Sequence, residues 1–432
     1  MLYQLHEMQR SFLNPLMQWA DASAKLFSNP VSPLAHTPFS QRIAAGYELM
    51  YRLGKDYEKP AFGLPTTTIA GKTVGILERT AASKPFCKLL HFKKDLPEAE
   101  FAALKQPTVL VVAPLSGHHS TLLRDTVRAL LPNQDVYITD WIDARMVPLS
   151  EGPFHLDDYV FYVQEFIRHL GPDVHVISVC QPTVPVLAAI SLMATNKDPK
   201  LPKSMIMMGG PIDPRKSPTA VNDLALEKPF SWFENTVIYA VPGNYPGFGR
   251  KVYPGFLQHA GFIGMNPGRH AQSHREFYQH LVRGDDDSAE AHRKFYDEYN
   301  AVLDMPAEYY LETIKTVFQD FALPKGTWKV GGQLVRPQDI TSVALFTIEG
   351  ELDDISGQGQ TRAAHRLCTG IPERDRRHLT VKGAGHYGIF SGRRWRTQVY
   401  PQVREFIAAH DGAKKPVAKS AAKAKKPAKR SR

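Results

Sequence analysis

Short apolar segments that alternate with helical patterns are the feature of this sequence that most limits its possible folds. The predicted strands are Val109–Ala113, Val136–Thr139, Val174–Val179, Met205–Met208, Val343–Ile348 and His378–Val381. Helical patterns between or after them cover Thr121–Leu131, Asp157–Leu170, Val184–Met193, Thr361–Leu367 and Gln398–His410. Because buried parallel strands are apolar throughout and are joined through helices, this alternation predicts an α/β fold with a mostly parallel sheet and helices on both faces.

The alternation stops at Gly210–Pro211 and resumes at Val343, and the segment between them is too long for a loop. We predict an inserted cap at about 211–335. Its first half holds an aromatic cluster among many Pro and Gly residues: Phe230, Trp232, Phe233, Tyr239, Tyr245, Phe248, Tyr253, Phe256 and Phe262. These aromatics either form the cap's own small core or line a pocket beneath the cap, and a pocket of this kind favours an apolar substrate.

Three regions follow from these patterns: an N-terminal helical segment at 1–66, the α/β domain with its cap at 67–411, and a tail at 412–432. Within the first region, large apolar residues recur at helical spacing, namely Leu5, Met8, Phe12, Leu16 and Trp19. Pro15 is expected to kink or break this helix. The helix either docks on the core of the protein or anchors the protein at a membrane surface.

The net charge of +10 at pH 7 resides mostly in the tail, where nine Lys or Arg residues occur without any acid. We expect this tail to be disordered and available to DNA or another polyanion. The three cysteines are scattered and odd in number, which argues against a disulfide framework and for a reducing compartment. No apolar stretch reaches the roughly 18 residues that a membrane span needs. We therefore predict a cytoplasmic protein, whose oligomeric state the sequence does not indicate.

Cys180 lies where the strand Val174–Val179 runs directly into a predicted helix. A sharp turn there would raise its side chain above the carboxyl edge of the sheet, as in a nucleophile elbow. The helix N-terminus favours a thiolate, and the N–H of Gln181 could help to bind an oxyanion. The segment departs from the usual G-x-S-x-G pattern at Ser178, Cys180 and Pro182. A buried structural cysteine is therefore the alternative interpretation of Cys180.

Two further residues would complete a catalytic triad with Cys180. Asp353 follows the strand Val343–Ile348, where its carboxylate could orient a histidine, although the adjacent Asp354 competes for that role. His386 follows the last strand and lies in a glycine-rich loop. Nucleophile, acid and histidine thus occur in the order that is expected for a hydrolase of this architecture, each after its own strand.

The second oxyanion donor is expected in the loop after Val109–Ala113, at the backbone N–H of Leu115 or Ser116. His118 and His119 in the same loop could contact substrate, but hydrogen bonds within the loop are the preferred interpretation. Cys87 and Cys368 lack a comparable setting and are predicted to be inert. The sequence shows neither a metal-ligand cluster nor a cofactor motif, so we predict no metal and no cofactor.

Several segments of this chain together resemble a known family. They are Met1-Leu2-Tyr3-Gln4-Leu5-His6-Glu7, Ala45-Gly46-Tyr47-Glu48-Leu49, Ser178–Pro182, Asp353-Asp354-Ile355, and the run from Gly385 through His386 and Trp395. Over nearly the whole chain, to about residue 411, the sequence is similar to the intracellular poly(3-hydroxybutyrate) depolymerases, which are α/β-hydrolases with a cysteine nucleophile. The nucleophile, acid and base of that family fall on Cys180, Asp353 and His386.

The resemblance implies a polyester depolymerase that cleaves poly(3-hydroxybutyrate) through a cysteinyl acyl-enzyme and attaches to the surface of storage granules. Water, or a thiol such as coenzyme A, would release the 3-hydroxyacyl group. One alternative is an acyltransferase similar to the polyhydroxyalkanoate synthases, which also use cysteine, aspartate and histidine. A second is a protein without catalytic activity that coats granules or tethers them to DNA.

Overall fold

The structure is a computed structural model that describes residues 1–37 and 39–412. The predicted basic tail, residues 412–432, therefore lies outside the described residues apart from Gly412. The described strands, in chain order, are β1 (Thr66–Ile69), β2 (Lys72–Lys84), β3 (Cys87–Lys94), β4 (Thr108–Val112), β5 (Asp135–Trp141), β6 (Val174–Val179), β7 (Ser204–Met208), β8 (Tyr239–Ala240), β9 (Lys251–Tyr253), β10 (Met305–Pro306), β11 (Lys329–Val330), β12 (Gln333–Leu334), β13 (Ala344–Gly350) and β14 (Arg376–Val381).

The described α-helices surround these strands. They are α1 (Leu2–Ser28), α2 (Ser40–Gly54), α3 (Glu98–Ala103), α4 (Arg124–Leu130), α5 (Leu156–Leu170), α6 (Thr183–Thr195), α7 (Ala220–Glu227), α8 (Phe230–Thr236), α9 (Gly255–Met265), α10 (Pro267–Arg283), α11 (Asp286–Tyr299), α12 (Ala307–Thr313), α13 (Ala322–Lys325), α14 (Ala364–Leu367), α15 (Gly392–Arg394) and α16 (Tyr400–His410). A π-helical turn, Ile314–Gln319, continues α12.

A nine-stranded sheet forms the centre of the described chain, with strand order β1-β2-β3-β5-β4-β6-β7-β13-β14. The first three strands and β5 pair in antiparallel fashion. From β5 onward every neighbouring pair is parallel. The carboxyl ends of β4, β6, β7 and β13 consequently meet along one edge, and this edge is where the residues that follow these strands come together.

Helices cover both faces of the sheet, because successive residues of each buried strand point to opposite sides. In β4, Leu110 and Val112 pack into a core with α5 and α6, whereas Val109 and Val111 pack into a second core with α4 and α16. The predicted class is therefore confirmed: an α/β-hydrolase fold with a mostly parallel sheet, helices on both faces and an inserted cap.

The cap lies between β7 and β13 and contains α7 to α13 together with two small antiparallel sheets, β8-β9-β10 and β11-β12. A bridge between His118 and Val302 joins the loop after β4 to the cap. Arg250, which is only 3% exposed, donates to the carbonyls of Val147, Pro148 and Gly152 in the segment after β5. These contacts fix the cap over the carboxyl edge of the sheet.

Helix α1 is continuous through Pro15, so the predicted break is wrong. Proline removes one helical hydrogen bond and costs about 3 kcal/mol in a helix interior. Packing along α2 offsets that loss, because the helix buries Met17, Ala20 and Ala24 on the side that faces the rest of the protein. At its N-terminal end, the Tyr3 hydroxyl donates to Asp304 Oδ2 of the cap at 2.6 Å.

The residues that had predicted α1 do not face the core. All five are exposed, to between 42% and 78% of their surface, and they form a single stripe along the helix: Leu5, Met8, Phe12, Leu16 and Trp19. At 1.5 Å per residue the stripe is about 21 Å long. The helix does dock on the rest of the protein, but through the smaller residues of the opposite face rather than through these five. No helix among the described residues is both long and apolar enough to cross a membrane.

Candidate active site

Cys180 follows β6 directly and adopts a left-handed backbone conformation with φ of 69°. Its N–H donates to the carbonyl of Met208 in β7 at 2.7 Å, and its own carbonyl accepts from Thr183 N in the first turn of α6 at 3.1 Å. Non-glycine residues rarely occupy this region, and such strain clusters at functional sites. The strand-to-helix turn thus lifts the Cys180 side chain, which is partly exposed, above the edge of the sheet.

Two glycines directly after the neighbouring strand β7 make room for this turn. A Cβ atom on Gly210 would overlap Thr183 Oγ1 and the carbonyl oxygen of Cys180. A Cβ atom on Gly209, whose φ is +58°, would lie 2.7 Å from Ile389 Cδ1 and 3.2 Å from His386 Cε1. Gly209 and Gly210 thus let the chain after β7 pass close to the turn at Cys180 and to the ring of His386.

His386 lies in the loop after β14 and is 4% exposed. Its Nδ1 is 2.8 Å from Asp353 Oδ2, so Nε2 is the ring nitrogen that remains for Cys180. Burial would lower the pKa of His386, but interactions with Cys180 and Asp353 outweigh it and raise that pKa well above the ordinary value. The three predicted residues therefore lie together, and the imidazole is stabilised in its protonated form.

Asp353, rather than Asp354, faces His386. Its second oxygen, Oδ1, accepts from the N–H groups of Ile355 at 2.9 Å and Ser356 at 2.8 Å, and these bonds fix the direction of the carboxylate. Asp354 is exposed and is 3.4 Å from Asn266 Nδ2. The structure thus distinguishes the two adjacent acids, which the sequence pattern left as competitors.

A cavity of about 750 Å³ lies between the cap and these residues. Its floor contains Cys180, Gln181 and His386. Its walls are mainly apolar and come largely from the cap, including Phe233, Tyr253, Phe262, Tyr309, Tyr310 and Phe318. Three of the nine aromatics in the first half of the cap thus line the cavity. An arrangement of this kind suits an apolar substrate that carries one polar reacting group.

The predicted oxyanion donors lie at the same cavity. Leu115 and Ser116 line it from the loop after β4, and Gln181 lines it from the N-terminal side of α6. Within residues 1–37 and 39–412, the backbone N–H groups of these three residues have no hydrogen-bond acceptor. Free N–H groups beside a candidate nucleophile are the donors that an oxyanion would need.

The other candidate residues have different settings. His118 is stacked on Phe262 and bonded to the carbonyl of Tyr299 at 3.1 Å, and burial lowers its pKa to about 4. Burial likewise lowers the pKa of His119 to about 3. Cys87 and Cys368 are fully buried, and burial raises the pKa of each thiol, that of Cys368 to about 12. Among the described residues, no three His, Cys, Asp or Glu side chains are grouped to bind a metal ion.

Two contributions to the site are absent from the predictions made from the sequence. Gly210 marks the point where the strand pattern stops, but the pair Gly209–Gly210, directly after a buried strand, also indicates close packing there. Tyr309 lies far from the other site residues in the sequence, and its hydroxyl donates to Gln181 Oε1 at 2.7 Å across 128 residues. No local pattern identifies a contact of that range.

Residues 209–411 match the family model described as the C-terminus of PHB depolymerase. No curated protein sequence matches this chain.

Several solved structures are similar to the chain at low sequence identity. A monoacylglycerol lipase from Paleococcus ferrophilus is 14% identical, over 71% of this chain and 96% of the lipase, with a TM-score of 0.41. A 2-hydroxy-6-oxo-6-phenylhexa-2,4-dienoate hydrolase from Rhodococcus is 11% identical over 78% and 99%, with a TM-score of 0.41. A thermophilic esterase from Thermogutta terrifontis is 12% identical over 81% and 98%, with a TM-score of 0.38.

Proposed function

Because residues 209–411 match the family model for the C-terminus of PHB depolymerase, we propose that this chain belongs to that family and that it cleaves the ester bonds of poly(3-hydroxybutyrate) through a cysteinyl acyl-enzyme. The family match and the fold support an ester-hydrolysing depolymerase. The observation that carries the finer proposal is that Cys180 and His386 lie at the floor of one apolar cavity, with Asp353 bonded to the far side of the His386 ring.

Each member of the proposed triad has a role that its contacts support. His386 donates its Nδ1–H to the carboxylate of Asp353, and Nε2 is left directed to Cys180. The raised pKa of His386 favours an imidazolium beside a thiolate, and a thiolate is the nucleophilic form of cysteine. The start of the 13-residue helix α6, immediately after Cys180, adds a partial positive charge on the same side.

In the acylation step the proton of Cys180 resides on His386, and the sulfur attacks the ester carbonyl carbon. The carbonyl π electrons move to oxygen, and the N–H groups of Gln181 and of Leu115 or Ser116 stabilise that charge. The carbon–oxygen single bond then breaks, the departing alcohol takes the proton from His386, and the acyl group remains as a thioester on Cys180.

In the deacylation step His386 removes a proton from water, whose oxygen attacks the thioester. The carbon–sulfur bond breaks, the 3-hydroxyacid or its oligomer leaves, and the proton returns to the Cys180–His386 pair. Coenzyme A could replace water as the acceptor, in which case the product is an acyl-CoA. We propose water as the acceptor, because this chemistry needs no group beyond the triad and the backbone donors.

The exposed stripe of α1 supports our proposal that the protein acts at the surface of storage granules in the cytoplasm. All charged residues of α1, namely Glu7, Arg10, Asp21 and Lys25, lie on other sides of the helix. An uncharged apolar stripe suits a neutral polyester surface, because adsorption there would remove apolar area from water without desolvating a charge. The loose end of the polymer would then enter the cavity beneath the cap.

The test is the release of 3-hydroxybutyrate and its oligomers from amorphous poly(3-hydroxybutyrate) particles. We expect release by the wild type and a loss on the order of 10³-fold or more in Cys180→Ala. The matched control is Cys368→Ala, which makes the same change at a thiol remote from the cavity and should retain release. Equal release by wild type and Cys180→Ala would contradict the cysteine mechanism. An inactive wild type that instead extends polymer from acyl-CoA would favour the synthase-like alternative.

A further inference from the structure

A second functional group of Gln181 lies at the candidate site. The residue is only 7% exposed, follows Cys180 directly and lines the cavity. Its backbone N–H is one of the proposed oxyanion donors. Its side-chain amide is a separate group, with one oxygen that can accept and one nitrogen that can donate two hydrogen bonds.

The amide oxygen of Gln181 is held from the opposite side of the cavity. Tyr309, in α12 of the cap, is 1% exposed and donates its hydroxyl hydrogen to Gln181 Oε1 at 2.7 Å. Burial is the main reason why the pKa of Tyr309 lies far above its ordinary value, and negative charge on Cys180 raises it further. The hydroxyl therefore keeps its hydrogen. This bond occupies Oε1 and leaves Nε2 as the free end of the amide.

The amide nitrogen has no such partner. Gln181 Nε2 is buried and finds no acceptor within residues 1–37 and 39–412. A buried donor without an acceptor is unfavourable, so one that persists beside a candidate nucleophile calls for an explanation. The cavity walls are mainly apolar, and none of the polar side chains that also line them, Ser116, Asp223, Glu227, Gln258, Thr313 and Ser356, accepts from Gln181 Nε2 within the described residues. The acceptor for this nitrogen is therefore expected on the substrate.

We propose that Gln181 Nε2 donates a hydrogen bond to the oxygen on the β-carbon of the acyl group, and thereby selects esters of 3-hydroxyacids. The inference rests on the proposed function. During attack the carbonyl oxygen is taken by backbone N–H groups, one of them from Gln181 itself. The next oxygen along a 3-hydroxyacyl chain is two carbons away, within reach of a side chain on that same residue. Tyr309 is a positioning residue that orients the amide.

This arrangement explains how an otherwise apolar cavity can discriminate between acyl groups of the same shape. A site that hydrogen-bonds a substrate oxygen rejects the analogue without it, because the buried protein donor is then left unpaired. An apolar pocket alone distinguishes such isosteres weakly. The side chain of Gln181 would thus determine specificity, whereas the triad determines the chemistry.

The experiment compares two isosteric soluble esters, 4-nitrophenyl 3-hydroxybutyrate and 4-nitrophenyl 3-methylbutyrate. The readout is the ratio of their kcat/KM values, corrected for the ratio of their alkaline hydrolysis rates. We expect the wild type to prefer the hydroxy ester about tenfold or more, and Gln181→Met to lose most of that preference. Tyr309→Phe keeps the amide but not its orientation, so its ratio should fall about threefold. Phe318→Leu alters a cavity wall without a hydrogen bond and should keep the wild-type ratio.

The possible outcomes separate the inference from the proposal on which it rests. A wild-type ratio retained in Gln181→Met would overturn the inference and leave the depolymerase proposal standing. An equal fall in kcat/KM for both esters in Gln181→Met would show that the side chain is merely structural, which also overturns the inference. A wild type that cleaves neither ester would overturn the proposed function together with the inference. Thermal unfolding of each variant shows whether the fold is retained.

Discussion

At the scale of single residues, the two ring nitrogens of His386 have different partners, Asp353 at Nδ1 and Cys180 at Nε2. Asp353 accepts at Nδ1, and its other oxygen is fixed by two backbone N–H groups of its own turn. The acid and the histidine could be placed from the sequence, because both follow apolar strands whose ends are easy to locate. The choice between Asp353 and Asp354 could not be made, since adjacent residues share the same strand end and only the turn decides which carboxylate points inward.

Replacing Asp353 with Asn should reduce kcat/KM on a soluble ester by roughly 10²–10⁴-fold, since a neutral amide neither orients nor stabilises the imidazolium. The carboxylate also helps to raise the pKa of His386. Its removal lowers that pKa, so the imidazolium loses its proton at lower pH and the alkaline limb of the rate profile shifts downward. The measurement is kcat/KM against pH. Asp354→Asn is the control, and a larger effect there than at position 353 would refute the assignment.

At the scale of secondary-structure elements, strands β4, β6, β7 and β13 appear in the sequence as apolar segments because they are buried on both sides. Amphipathic elements were harder to interpret. Helix α1 has apolar residues on two sides, and the larger ones, which gave the clearest pattern, face solvent. The sequence pattern gives the spacing of the apolar residues but does not indicate which side of the helix packs against the protein. Contact with α2 decides that point.

The double variant Phe12→Ser and Leu16→Ser should bind amorphous polymer particles about tenfold less tightly than the wild type. Each substitution removes apolar surface worth about 1 kcal/mol or more on adsorption. The measurement is the fraction of protein that sediments with particles across a range of particle concentrations. Gln4→Ser and Gln18→Ser, which alter exposed polar residues of the same helix, are the controls. Unchanged adsorption by the double variant would exclude the α1 stripe as the granule-binding surface.

At the scale of the whole molecule, a buried polar cluster joins α1, the cap and the segment after β5. Asp304 of the cap accepts from Tyr3 of α1 and from Gly255 N, and Asp143 accepts from Asp304 N and pairs with Arg145 at 3.0 Å. The order of strands made the sheet predictable, but the contacts of Asp304 with Tyr3 and with Asp143 link residues more than 100 positions apart and leave no local signature. The placement of the cap over the site could therefore be known only from the structure.

This cluster should make stability depend on pH. The pKa of Asp143 is raised to about 7 from an unfolded value near 4, mainly by burial and secondly by the negative charge of Asp304. Between those values the folded state binds more protons than the unfolded state, so this group's contribution to stability falls as the pH rises. We expect Asp143→Asn to gain thermal stability relative to the wild type between pH 5 and pH 8. The exposed Asp287→Asn is the control, and a pH-independent difference for Asp143→Asn would contradict the assignment.

The most direct test of the proposed mechanism is mass spectrometry of the protein after rapid acid quenching of its reaction with 4-nitrophenyl 3-hydroxybutyrate. The account predicts one added 3-hydroxybutyryl group, located by peptide mapping on Cys180 and absent from Cys87 and Cys368. It also predicts no adduct in Cys180→Ala. An acyl group on a serine, or turnover of the ester with an unmodified Cys180 at every quench time, would contradict the cysteinyl acyl-enzyme.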